Sequence, residues 1–161
     1  MRIIKLGFIS LLALGLLITL LSLLLPSHVR ISRAITINRD ASAVRKQVMD
    51  IKQWANWNAL LQQKDLKNGE FREDGFSSDE MKVQLIAKDS NRIETEWTRN
   101  GQDKIIGVLE LTPSEGATVV QWYFDFHLKW YPWEKFGSII FDGQIGPPMQ
   151  KSLDQLDMIV Q

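Results

Sequence analysis

The sequence predicts an α+β protein: one N-terminal transmembrane helix, then a curved antiparallel sheet wrapped around a long C-terminal helix. Three observations predict it. Leu6–Leu25 is an uncharged apolar run. From residue 81 to residue 130 apolar residues alternate with polar ones at the period of a strand. From Met149 to Val160 apolar residues recur every three to four positions, the period of a helix face.

The apolar run comes first. Its only polar side chains are Ser10, Thr19 and Ser22. A helix satisfies its own backbone hydrogen bonds in lipid, and roughly 20 residues cross the ~30 Å hydrocarbon core. Arg2 and Lys5 precede the run and Pro26 closes it. A cleaved signal peptide is the competing reading. Signal h-regions run about 7–15 residues, and Leu23-Leu24-Leu25-Pro26-Ser27 has no small-x-small cleavage pattern. The run is therefore read as a retained single-pass anchor, residues 1–26, ahead of one domain, residues 27–161. Positive flanks on both sides, with Arg30, Arg33 and Arg39 after the run, nearly balance the positive-inside rule. The short basic tail ahead of the run looks like an export signal kept as an anchor and places the domain outside the cytoplasm, on the periplasmic side.

Composition excludes several classes. There are 19 basic and 19 acidic residues, and Arg2 and Lys5 belong to the anchor. The domain is then slightly acidic and lacks the basic stripe that nucleic acid calls for. No cysteine is present, which excludes disulfides, cysteine metal sites and a lipid-modified N-terminal cysteine.

The domain's elements follow in order. Val29, Ile31, Ile35 and Ile37 share one face of a first strand, with Arg33 at an edge position on that face. Asn38-Arg39-Asp40 is a turn, and Asp40 is placed to cap a helix carrying Val44, Val48 and Ile51. Trp54, Trp57, Leu60 and Leu61 continue that spacing into a second short helix. A weak strand around Gly69 holds Phe71 and Phe76. Inward sets then run Met81, Val83, Leu85, Ala87; Ile93, Thr95, Trp97; and Ile105, Gly107, Leu109, Leu111. The clearest strand, Thr118 to Trp130, turns Val120, Trp122, Phe124, Phe126, Leu128 and Trp130 inward. Asn100-Gly101 and Glu115-Gly116 supply turn chemistry between strands. Pro147 is placed to open the last helix, on which Met149, Leu153, Leu156 and Val160 make the stripe.

Catalytic signatures are missing from the pattern. His28 and His127 are the only histidines, and a metal site wants three or four ligands. Tyr123, Asp125 and His127 share the outer strand face, where no pocket is expected. Glu94, Glu96 and Glu110 read as cross-strand partners of Lys82, Arg92 and Lys104. No nucleophile elbow, phosphate loop or dinucleotide fingerprint occurs. No catalytic residue, metal ligand or cofactor is assigned. Of six tryptophans, Trp97, Trp122, Trp130 and Trp133 are expected in the sheet interior or its junction with the last helix. Trp130-Tyr131-Pro132-Trp133 also reads as an amphipathic loop suited to a lipid interface.

Three stretches resemble one family: Arg33-Ala34-Ile35-Thr36-Ile37-Asn38, Ile51-Lys52-Gln53-Trp54-Ala55-Asn56-Trp57-Asn58, and Ile145-Gly146-Pro147-Pro148-Met149-Gln150-Lys151-Ser152-Leu153-Asp154-Gln155-Leu156. They are similar to the START-like superfamily, and within it to the membrane-anchored bacterial polyketide cyclase/dehydrase and lipid-transport proteins (SRPBCC type). The resemblance implies a helix-grip fold with an apolar cavity between sheet and C-terminal helix. The expected lining is Trp57, Leu85, Trp97, Leu109, Trp122, Phe124, Phe126, Ile145, Met149 and Leu153. The implied partners are a hydrophobic small molecule or lipid and the membrane; no protein partner is assigned. The leading expectation is non-catalytic binding. A cyclase- or dehydratase-type enzyme using the same cavity is the first alternative, and a partner-binding domain with a filled core is the second.

Overall fold

A computed structural model describes residues 2–101 and 103–161. The chain opens on α1, Arg2–Leu23, whose side chains from Ile3 onward are exposed except at Thr19 and Ser22. At about 1.5 Å per residue its 22 residues reach about 33 Å. Among the described residues it is the one helix long and apolar enough to cross a membrane, a property that an anchor and a signal sequence share.

Seven antiparallel strands make one sheet: β1 His28–Ile37, β2 Glu70–Phe71, β3 Gly75–Ser77, β4 Met81–Lys88, β5 Arg92–Arg99, β6 Ile105–Ser114 and β7 Ala117–His127. Their order is β1-β7-β6-β5-β4-β3-β2. Hairpins join β2 through β7, and β1, separated in sequence, pairs with β7 along its full length. Gly101 and Gly116, on either side of β6, take φ of 77° and 69°, a conformation that L side chains rarely adopt. Between β1 and β2 lie α2, Ala41–Val48, and a 3-10 turn, Ile51–Asn56. After β7 come α3, Pro132–Gly137, a 3-10 turn at Ser138–Ile140, and α4, Phe141–Val160.

The inner face of the sheet packs on α2 and α4. Ile31, Ile37, Val83, Ile93, Leu109, Leu111, Val120 and Trp122 meet Val44, Val48, Met149, Leu153 and Leu156, all buried. The period-two and period-3.6 patterns therefore meet in one core, as in an α+β helix-grip domain.

Four details differ from expectation. Asp40 sits at the cap position with extended backbone but makes no side-chain cap bond. The second short helix stops at Asn56, because the Asn58 side chain accepts from the Leu60 backbone N–H at 3.1 Å and turns the chain. Ser152 Oγ on α4 accepts the next free backbone N–H, that of Ala59, at 2.9 Å. The weak strand around Gly69 is two short strands, with the Phe71 and Phe76 rings 4.7 Å apart. The last helix starts at Phe141, six residues before Pro147. Pro147 and Pro148 thus fall inside it, and the carbonyls they leave unpaired belong to Gly143 and Gln144, which are exposed to water.

The largest difference concerns the chain after β7. The strand ends at His127, so Trp130 and Trp133 leave the inner face and stand 63% and 68% exposed. Trp97 and Trp122 are buried as expected, and the other buried indoles are Trp54 and Trp57. Trp54 and Trp57 donate to the carbonyls of Val48 and Gln47, fastening the 3-10 turn to the end of α2.

Candidate functional site

One end of the domain is filled and the other is hollow. From Met149 onward, α4 presses Met149, Leu153 and Leu156 into the sheet with no exposure. Its first turns offer only Phe141 and Ile145, both half-buried. A cavity of about 660 Å³ opens there, between the first turns of α4 and the ends of β5, β6 and β7. Leu60, Met81, Ile105 and Leu128 complete its apolar wall.

Of the ten residues expected to line a cavity, Trp97, Phe124, Phe126 and Ile145 do so. Trp57, Leu109, Trp122, Met149 and Leu153 lie in the filled core, and Leu85 packs beside it near the bulge in β4. Sequence reasoning missed Leu60, Met81, Ile105, Leu128 and Phe141. Ile105 and Met81 already read as inward residues, but periodicity marks a face and not the end of it.

An aromatic chain joins the two halves. Trp57 meets Trp122 edge-on at 6.1 Å, Trp122 lies 6.2 Å from Trp97, and Trp97 meets Phe124 edge-on at 5.1 Å. Phe126 and Phe141 follow, 5.0 Å apart, where the cavity begins. Gly107 permits the Trp97–Phe124 contact, since a Cβ there would lie 2.6 Å from the Phe124 ring and 2.8 Å from the Trp97 indole nitrogen. The indole N–H of Trp97 is already used, donating to Thr95 Oγ1 at 2.9 Å.

Charges gather around the opening. Arg99, Asp103, Lys104, His127, Lys129 and Glu134 line the cavity, and each is half-buried or exposed. Lys129 Nζ lies 2.8 Å from Asp103 Oδ2, which raises the lysine's pKa. The Lys129 backbone N–H donates to Glu134 at 2.8 Å. Among the described residues no group of three or more potential metal ligands occurs.

Arg33 lies on edge strand β1, as the pattern predicted. Its guanidinium donates to Asp142 at 2.8 Å and lies across Gly146, where a Cβ would stand 2.0 Å from it. The pair Arg33–Gly146 therefore brings the start of α4 close to β1.

The outer face of the sheet carries a polar network. Arg30 grips Asp125 with two hydrogen bonds of 2.7 Å and covers the Tyr123 ring at 4.1 Å. Tyr123 donates to Glu110, and Arg92 holds Glu110 and Glu94. Lys104 pairs with Glu96. Lys82 joins none of the ion pairs among the described residues. Of the outer set Tyr123, Asp125 and His127, only His127, at the strand's end, reaches the cavity.

The hydrogen bonds from Arg30 hold the Asp125 carboxyl below the ordinary carboxylate range; burial opposes this, and Arg30, His28 and His127 add electrostatic lowering. A depressed folded-state pKa gives stability that is present above the unfolded value of about 4 and lost as pH falls through the folded one. Asp125→Asn is therefore expected to flatten the acid limb of melting temperature against pH. An acid limb identical to wild type contradicts this.

This geometry defines a helix-grip domain with an open pocket beside the first turns of its C-terminal helix, lined by apolar and polar side chains in similar number. The family model described as "Polyketide cyclase / dehydrase and lipid transport" matches residues 28–158, and the chain belongs to that family. Solved structures agree in fold. CalU16 of Micromonospora echinospora is 13% identical with a TM-score of 0.55, covering 83% of this chain and 85% of its own. A Thermobifida fusca protein is 15% identical with a TM-score of 0.58, covering 81% of this chain and 92% of its own. Protein MLL2253 of Mesorhizobium loti is 13% identical with a TM-score of 0.58, covering 82% and 96%. No curated protein matches the chain.

Proposed function

We propose that this protein is a membrane-anchored binding domain that holds a hydrophobic small molecule or lipid beside the bilayer, without catalysing a reaction on it. The observation that carries this reading is the cavity of about 660 Å³ walled by Trp97, Phe124, Phe126 and Ile145. Ligand sites typically have volumes of about 300–1,000 Å³, and here apolar side chains supply about half of the lining. Cyclase or dehydratase chemistry in the same space needs a positioned acid or base. The titratable groups here surround the opening, where water reaches them, which favours binding.

The anchor is the second half of the proposal. Leu6–Leu25 is longer than a signal's apolar core and lacks a cleavage pattern. We place the domain on the periplasmic side.

Two measurements on the full chain test these halves. The protein is expected to stay with membranes in alkaline carbonate; a mature form beginning near Ser27 contradicts the anchor. A fluorescent fatty-acid analogue is expected to bind saturably near 1 μM, roughly 8 kcal/mol. It should quench tryptophan emission and raise the melting temperature, because a ligand selective for the folded state stabilises it. Absence of both effects contradicts the cavity reading and favours a partner-binding domain.

A further inference from the structure

The segment after β7 exposes an unusual amount of apolar surface. Trp130, Trp133, Phe136, Ile139 and Ile140 all stand exposed within eleven consecutive residues. The Tyr131 and Trp133 rings stack 4.8 Å apart, 6° from parallel, without burying either. A contiguous apolar patch of this kind marks an interaction surface. The remaining question is what covers it.

Helix α3 answers through four consecutive residues, Trp133 to Phe136. Lys135 is buried, and its Nζ donates to the carbonyl of Leu25 at 2.9 Å, where the apolar N-terminal run ends. Ser27 is tied to the same place, its carbonyl accepting from the Leu128 N–H at 2.8 Å. Glu134, one residue before Lys135, lines the cavity. Trp133 and Phe136, on either side of that pair, are 68% and 38% exposed. One short helix thus touches the end of the anchor, borders the cavity and displays the aromatic patch.

We propose that Trp130–Ile140 lies in the headgroup region of the bilayer that α1 spans, so that the cavity opens at the membrane surface and takes its ligand directly from lipid. This rests on the anchor and cavity readings of the previous subsection. A helix spanning the hydrocarbon core brings Leu25 to the membrane's edge, and the Lys135 bond brings α3 to the same depth. Tryptophan and tyrosine favour that depth, since each has an apolar ring and a polar tip. The bilayer is the occupant these contacts favour over a protein partner.

The test uses the full chain in phosphatidylcholine vesicles containing lipid brominated near the top of its acyl chains, which quenches nearby tryptophan. Wild type is compared with a Trp130→Phe/Trp133→Phe double variant, which keeps apolar rings while removing two of the six indoles. The emission lost on substitution should be the emission that brominated lipid quenches most strongly. If that difference signal is untouched by brominated lipid, the patch faces water or a protein and the proposal fails. Quenching that persists in the double variant reports lipid inside the cavity beside Trp97; its loss indicts the cavity reading and leaves the docking result standing. In a second arm, Trp130→Asp/Trp133→Asp is expected to slow uptake of the fatty-acid analogue from vesicles several-fold, with affinity in detergent micelles unchanged. Equal uptake rates overturn the route from lipid to cavity.

Discussion

Ile145→Trp is expected to abolish apolar ligand binding while leaving the fold intact. Ile145 faces the cavity from the first turns of α4, opposite Phe124 and Phe126. An indole there occupies space that holds no protein atoms, so it displaces ligand and not core. We expect affinity for the fatty-acid analogue to fall by at least about tenfold, which is about 1.4 kcal/mol. The melting temperature without ligand should change little. Leu153→Trp, two turns further along the same helix, is the contrasting case. Leu153 is fully buried among core side chains and does not reach the cavity. Overpacking there is expected to destabilise the domain by about 1–3 kcal/mol, with the cavity itself still open. Fluorescence titration and urea unfolding of both variants separate the effects. If Leu153→Trp blocks binding and Ile145→Trp does not, the hollow lies under the middle of α4 and not at its first turns.

Trp122→Ala should produce the largest loss of stability. The ring is fully buried on β7, 5.4 Å from Phe124, 6.1 Å from Trp57 and 6.2 Å from Trp97. Removing it leaves a void among rings that are themselves pinned by strands and by the 3-10 turn. Such truncations cost about 3–5 kcal/mol, against a total of about 5–15 kcal/mol for a typical domain. Trp133→Ala removes a ring of the same size from an exposed site and should shift stability by no more than about 0.5 kcal/mol. Urea unfolding of the full chain in detergent, followed by circular dichroism, reads both. Equal costs for the two variants contradict the assignment of Trp122 to the core and Trp133 to the surface.

The sheet was legible because its signal is simple. Val120, Trp122, Phe124 and Phe126 alternate with Gln121, Tyr123 and Asp125, and each falls on the expected face. The same rule failed past His127, where alternation continues in the residues but pairing with β1 stops at His28. Trp130 therefore matched an inward position without having a strand to hold it there. Pro147 misled for a related reason. A proline fits the first turn of a helix well, but nothing local states that Phe141–Gly146 is already helical.

The site was legible only in part. Inward-facing residues can be read from a period, but whether an inward residue touches another side chain or empty space depends on what stands opposite. Met149 and Leu153 share a stripe with Ile145, yet only Ile145 faces the hollow. The difference lies in how closely each turn of α4 meets the sheet, which no single segment encodes. Leu60, from the loop after the 3-10 turn, reaches the cavity by tertiary folding alone.

The central claim is that the cavity holds an apolar molecule taken up in the cell. Mass spectrometry of small molecules extracted with the full chain, purified in mild detergent, tests it most directly. Wild type is expected to carry a fatty-acid-sized or aromatic apolar compound at a fixed ratio to protein, and Ile145→Trp, purified identically, to carry none of it. Equal amounts on both proteins, or none on either, contradicts the claim.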